Sequence, residues 1–170
     1  MDAVVRPAGT ADAREIARVH VETWRQAYAH VFPAEYLAAL SVDDRAALAE
    51  RLLSENAETI LVAEVERRIV GFASGGPSRD EDAEAAPGEV YAIYVEPAAW
   101  GAGAGRRLLE RLEAALRGIG FDEATLWVLE DNPRARRFYE AAGWRYDGGR
   151  EIFSRAGVDA WEIRYRKRLR

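Results

Sequence analysis

The chain has 170 residues, no cysteine and a formal net charge of −5. Its length, with 49% hydrophobic and 31% charged residues, points to one globular domain over residues 1–170. The missing thiol excludes disulfides, thiolate nucleophiles and thiolate-held metal clusters. The acidic balance argues against bulk nucleic-acid binding.

His20 and His30, the two histidines, stand too many turns apart on a helical pattern to share one ion, so no metal is expected. The basic run at residues 164–170 alternates with apolar residues and reads as a terminal strand with a solvated face. The first ten residues show no signal-peptide pattern. No window reaches the roughly 18 apolar residues of a membrane span. The expectation is a cytoplasmic protein with no membrane or nucleic-acid partner.

In chain order, helices come first. Thr10 is the expected N-cap of a helix carrying Ile16, Val19, Thr23, Trp24 and Ala27 at helical spacing. Pro33 opens a short helix reaching Leu40. Ser41 and Asp44 have capping-box spacing ahead of Leu48 and Leu52. Strands follow at residues 59–66 and 69–74, joined by a turn at Arg67-Arg68. Residues 75–88 read as an exposed loop, acidic at Asp80, Glu81, Asp82 and Glu84. Residues 89–96 form the strongest strand pattern. A helix is expected over 104–117, with Leu108, Leu109, Leu112 and Leu116 as its stripe and Gly118 and Gly120 at its end. Then come a strand at 124–129, a helix at 133–142 closed by Gly143, and strands at 144–153 and 159–167. This order predicts a mixed α/β sheet.

Two segments carry chemistry. Trp100-Gly101-Ala102-Gly103-Ala104-Gly105 joins a strand to a helix. Glycine lets backbone approach a ligand, and the first helical amides lack internal partners, so such a turn can hold phosphate without a lysine. The P-loop template fails, because Arg106-Arg107 stand where Lys and Ser/Thr are needed. The dinucleotide fingerprint fails, because its third glycine falls on Leu108 or Arg106. A ligand-free connection stays open at this point. In the second segment, Asn132 can cap a helix while Tyr139 lies two turns on, on the same face. By themselves Phe138 and Tyr139 also fit as core aromatics.

A strand ending Val95-Glu96-Pro97, followed by this Gly-x-Gly turn, resembles the acetyl-CoA site of the GCN5-related N-acetyltransferases (GNAT). That family's motif is Gln/Arg-x-x-Gly-x-Gly/Ala, with Trp100 here at the first position. The run from Asn132 through Ala135, Phe138, Tyr139 and Gly143 to Trp144 is similar to the family's Asn-x-x-Ala-x-x-Phe-Tyr-x-x-x-Gly-Phe. The resemblance covers nearly the whole chain. It implies an acyl-CoA N-acyltransferase fold, a central mixed seven-stranded sheet flanked by about four helices.

The resemblance also implies a cosubstrate and roles. Acetyl-CoA would lie along Ile93, Tyr94 and Val95. Its pyrophosphate would meet Trp100, Gly101, Ala102, Gly103, Ala104, Gly105 and Arg106, and its pantetheine Asn132, Ala135, Phe138 and Tyr139. Tyr139 would protonate the leaving thiolate, the Val95 N–H would receive the developing oxyanion, and Glu89 would serve as base through water. Trp24, Tyr28, Phe32 and Tyr91 would frame the acceptor. The implied reaction acetylates a primary amine of a small molecule, of polyamine, amino-acid or amine-antibiotic class. A peptide N-terminal acetyltransferase and a catalytically degenerate acetyl-CoA sensor are the alternatives, and a homodimer fits the family. Without cysteine no acetyl-cysteine can form, so transfer is expected to be direct. The acidic loop either draws a cationic amine or simply solvates a hairpin.

Overall fold

The protein is seen as a computed structural model that describes residues 3–80 and 87–169. A short edge strand, β1 (Val4–Pro7), precedes the first helix. It has no clear period of its own and exists by pairing with β2 (Thr59–Val65), with Val4 opposite Glu64. The sequence pattern alone missed it. Thr10 does not cap the helix but opens a 3-10 turn in which Asp12 accepts the Gly9 N–H at 2.8 Å. Arg6 clamps that carboxylate at 2.7 Å.

Helix α1 (Ala13–Ala27) follows, then the single-turn α2 (Ala34–Ala38) and α3 (Val42–Glu55). Ser41 caps α3, its Oγ accepting the Asp44 N–H at 3.1 Å. The next turn falls on Glu66 and Arg67, both with positive φ, one residue earlier than expected. Strand β3 (Arg68–Pro77) runs past the expected end at Ser74. Gly75 permits this, because a Cβ there would stand 2.6 Å from the Glu89 carbonyl oxygen of β4 (Gly88–Val95). The expected loop at 75–88 therefore shrinks at both ends, and Glu81, Asp82 and Glu84 lie outside the described residues.

Helix α4 (Ala104–Ile119) contains Gly118, and Gly120, with φ 118°, closes it. Strand β5 (Glu123–Leu129), helix α5 (Pro133–Ala141) and the hairpin β6 (Arg145–Arg155) and β7 (Val158–Arg168) complete the chain. The strands form a seven-stranded sheet in the order β1-β2-β3-β4-β5-β7-β6. Five α-helices flank it among the described residues, one more than the about four that the family resemblance implied, and α2 is the short helix expected after Pro33.

The leucine stripe of α4 packs with Leu61, Val70, Leu126, Tyr139, Trp144 and Tyr165 on one face. Ile16, Val19, Ile60, Val62 and Phe72 fill the other, under α1 and α3. Burial on both faces explains why β2 shows no clean alternation. The basic end is a strand whose cations are engaged: Arg164 with Asp80 and Asp147, Arg166 with Glu123, Lys167 with Glu113. No helix among the described residues is long and apolar enough to cross a membrane.

Candidate active site

The site arises where two parallel strands part. β4 and β5 pair only at Gly88 with Ala124 and Glu89 with Thr125, then diverge. The opening is a cleft of about 1780 Å³ running between the helices that follow each strand. Backbone alternation decides which groups face it. Glu96 donates its N–H to Val70 of β3 at 2.8 Å, so the N–H groups of Val95 and Ile93 point away from β3, into the cleft. Two amides of β4, two residues apart, therefore face the cleft, where the sequence suggested Val95 alone.

The turn after β4 is held by Trp100. Its indole N–H donates to the Val95 carbonyl at 2.6 Å, and the Thr23 hydroxyl donates to the same oxygen at 3.2 Å. The Arg134 guanidinium lies over the Trp100 ring, 3.5 Å from its centroid. Gly101 and Gly103 have φ of 82° and 84°, the left-handed region that favours glycine. No side chain caps α4, and its first backbone bond runs from Arg107 N–H to Gly103 C=O. The amides of 104–106 thus carry unspent donors and the positive end of the dipole, a cradle for an anion. Gly105 lets the helix start pack near Phe138, 3.6 Å from where its Cβ would be. Arg106 is exposed and paired with Glu110 at 2.9 Å.

Across the cleft, Asn132 opens α5, its Oδ1 accepting the Ala135 N–H at 3.1 Å. This leaves its side-chain NH₂ as a donor. Tyr139 is buried among Phe138, Trp144 and Tyr165. Burial pushes its phenol well above the ordinary range, so it stays protonated. Each residue expected to hold cosubstrate or acceptor borders the cleft except Ala102, which faces elsewhere on the turn.

The third wall is aromatic. Trp24 stacks on Phe32 at 5.7 Å and meets Tyr28 edge-on at 4.8 Å. Phe32 reaches Phe153 of β6 at 6.3 Å. His20 lies between Trp24 and Phe72, with Nε2 buried and unpartnered among the described residues. Burial, with Arg45 and Arg155 nearby, lowers its pKa to about 3, so it is neutral. His30 instead bonds the Asp131 carbonyl at 2.9 Å.

Glu89 is buried near the paired end of β4, accepting the Arg79 N–H at 2.7 Å and its guanidinium at 3.2 Å. Tyr91 donates to the Pro77 carbonyl at 2.6 Å beneath Arg79. Asp80 accepts the Trp127 indole N–H at 2.9 Å and pairs with Arg164 at 3.0 Å, so it anchors the hairpin. The sequence reading missed His20, Thr23, Arg134, Phe153 and Glu162 in this cleft. Only alternation along β7, with Ile163 and Tyr165 inward, could have flagged Glu162.

A splayed sheet, an uncapped glycine turn and a facing Asn–Tyr helix define a cleft for an acylated phosphate-bearing cosubstrate. The model of the acetyltransferase (GNAT) family matches residues 16–144, so the chain belongs to that family. It is 38% identical over 138 residues to the uncharacterized N-acetyltransferase YuaI of Bacillus subtilis (strain 168), covering 81% of this chain and 77% of the relative. A solved N-acetyltransferase from Staphylococcus aureus Mu50 superposes with TM-score 0.78 at 22% identity, over 100% of both chains. A phosphinothricin acetyltransferase from Sinorhizobium meliloti, solved with acetyl-CoA, gives 0.77 at 24% identity over 99% and 89%. The chain is an acetyl-CoA-dependent acetyltransferase.

Proposed function

We propose that the protein moves acetyl from acetyl-CoA directly to the primary amine of a small molecule. One observation carries the acceptor class. The aromatic wall of α1 and α2 touches β6 through Phe32 and Phe153, and Val158 of β7 packs there too. That contact bridges the acceptor side, an arrangement that suits a small acceptor better than a polypeptide.

The roles follow from chemistry at named atoms. The amides of 104–106 suit the pyrophosphate, and the Asn132 NH₂ suits a pantetheine carbonyl. The Val95 N–H, facing the cleft, suits a carbonyl oxygen as it gains charge. The Tyr139 hydroxyl is the donor for the leaving sulfur. Acetyl-CoA supplies the activated acetyl group; the chain supplies orientation and donors.

The test is thiol release from acetyl-CoA against polyamines, amino acids, amine antibiotics and short peptides. Turnover of a small amine with sequential kinetics is expected. Turnover confined to peptides would replace the acceptor class. Acetyl-CoA binding with no turnover on any acceptor would mark a sensor. Ping-pong kinetics would contradict direct transfer.

A further inference from the structure

One carboxylate in the acceptor pocket has no part in the roles above. Glu162 stands on β7, in register with Leu129 of β5 and Glu151 of β6. Ile163 and Tyr165 turn into the core under α4 and α5. Strand alternation therefore sends Glu162 to the opposite face, and it lines the cleft.

Its surroundings separate it from the other acids there. Glu89 is held by Arg79, Asp80 by Arg164 and Trp127, and Glu58 by the Ser74 side chain with Arg79 nearby. Among the described residues no donor hydrogen-bonds the Glu162 carboxylate. The titratable groups facing it are Tyr28 from α1, Tyr94 from β4, and Glu151 and Arg155 from β6. Arg164, next on its own face of β7, is spent on Asp80 and Asp147. Tyr28 and Tyr94 are in turn within electrostatic reach of Tyr139. Glu162 thus shares the cleft with two phenols that lie near Tyr139.

We propose that Glu162 accepts the proton that the acceptor ammonium must lose before it can attack. This rests on the acetyl-transfer reading above. The ammonium gives one proton to the Glu162 carboxylate, directly or through one water. The freed lone pair forms the C–N bond to the acetyl carbon while the C–S bond breaks. The sulfur leaves with its electron pair and takes the Tyr139 proton, and the second nitrogen proton restores the phenol. Glu162 then returns its proton to solvent.

Burial and the neighbouring Glu151 push the Glu162 carboxyl up to about 7, with Arg155 pulling the other way. A base of that strength is half-ionised near neutral pH and still takes a proton usefully. His20, which also lines the pocket, is too weak a base at about 3.

The experiment compares pH profiles of kcat/KM for the full chain and for Glu162→Gln and Glu162→Asp. The wild type should show an acidic limb centred near 7. Glu162→Gln should lower kcat/KM at pH 7 by roughly 10²-fold or more and lose that limb. Glu162→Asp should restore part of the rate and keep a limb. Acetyl-CoA affinity should not move in either. A limb that persists in Glu162→Gln and vanishes in Glu89→Gln overturns the proposal and gives the role to Glu89. A carboxyl NMR titration of the wild type with labelled glutamate is independent of turnover. A Glu162 signal titrating in the ordinary carboxylate range also overturns the proposal. Turnover of peptides alone would sink the small-molecule reading, while the same profiles on the peptide amine would still decide Glu162.

Discussion

Trp100 stands where the family has Gln or Arg, and its indole N–H makes the bond that fastens the glycine turn to β4. Replacing it dissects two interactions. Trp100→Phe keeps a ring under Arg134 but removes the donor to the Val95 carbonyl. That oxygen retains the Thr23 hydroxyl at 3.2 Å, so it is not orphaned. The loss is then the net worth of one hydrogen bond, about 1 kcal/mol, not the larger penalty of an unpaired buried acceptor. Trp100→Ala also removes the cation–π contact with the exposed Arg134, a further 0.5–1 kcal/mol or so. For a chain of this length, about 1 kcal/mol corresponds to a Tm change of roughly 2–4 °C. A loosened turn must be ordered again when acetyl-CoA binds, so the same energy should weaken Kd about fivefold for the Phe variant. Urea denaturation and calorimetric titration with acetyl-CoA measure both. A Trp100→Phe protein identical to wild type in stability and Kd would refute the anchoring argument. So would an Arg134→Ala effect undiminished in the Trp100→Ala background.

Tyr139→Phe should lower kcat by roughly 10²–10⁴ while acetyl-CoA Kd holds, because the hydroxyl acts on the leaving sulfur; equilibrium binding beside initial rates checks the split. The wild-type kcat profile should show no alkaline loss from Tyr139 up to pH 10, since burial keeps that phenol protonated. His20 makes stability acid-sensitive. Its folded pKa of about 3 lies below the ordinary histidine value of 6.5, so between these the unfolded chain binds more protons and stability falls as pH drops. The loss should approach 2–3 kcal/mol or so by pH 4.5. Urea midpoints at pH 7 and 4.5 test this, and His20→Phe should flatten the difference.

The sequence by itself determined the parts that local chemistry dictates. The α4 leucine stripe, the Ser41 and Asn132 caps and the glycine turn depend on neighbours a few residues away, and all appear in the structure. The two motifs carried the family and most of the cleft lining for the same reason. Tertiary structure decided what depends on partners distant in sequence. β1 is a strand only because β2 offers it an edge, and β3 extends only because Gly75 lets it press on the backbone of β4. Asp80 looked like part of a solvated acidic loop until Arg164 and Trp127 came within reach. Glu89 and Glu162 are equally plain carboxylates on paper. Folding surrounds one with an arginine and leaves the other half-buried and facing phenols in the cleft. A carboxylate's proton affinity is set by desolvation and neighbouring charge, which are properties of space and not of spacing along the chain.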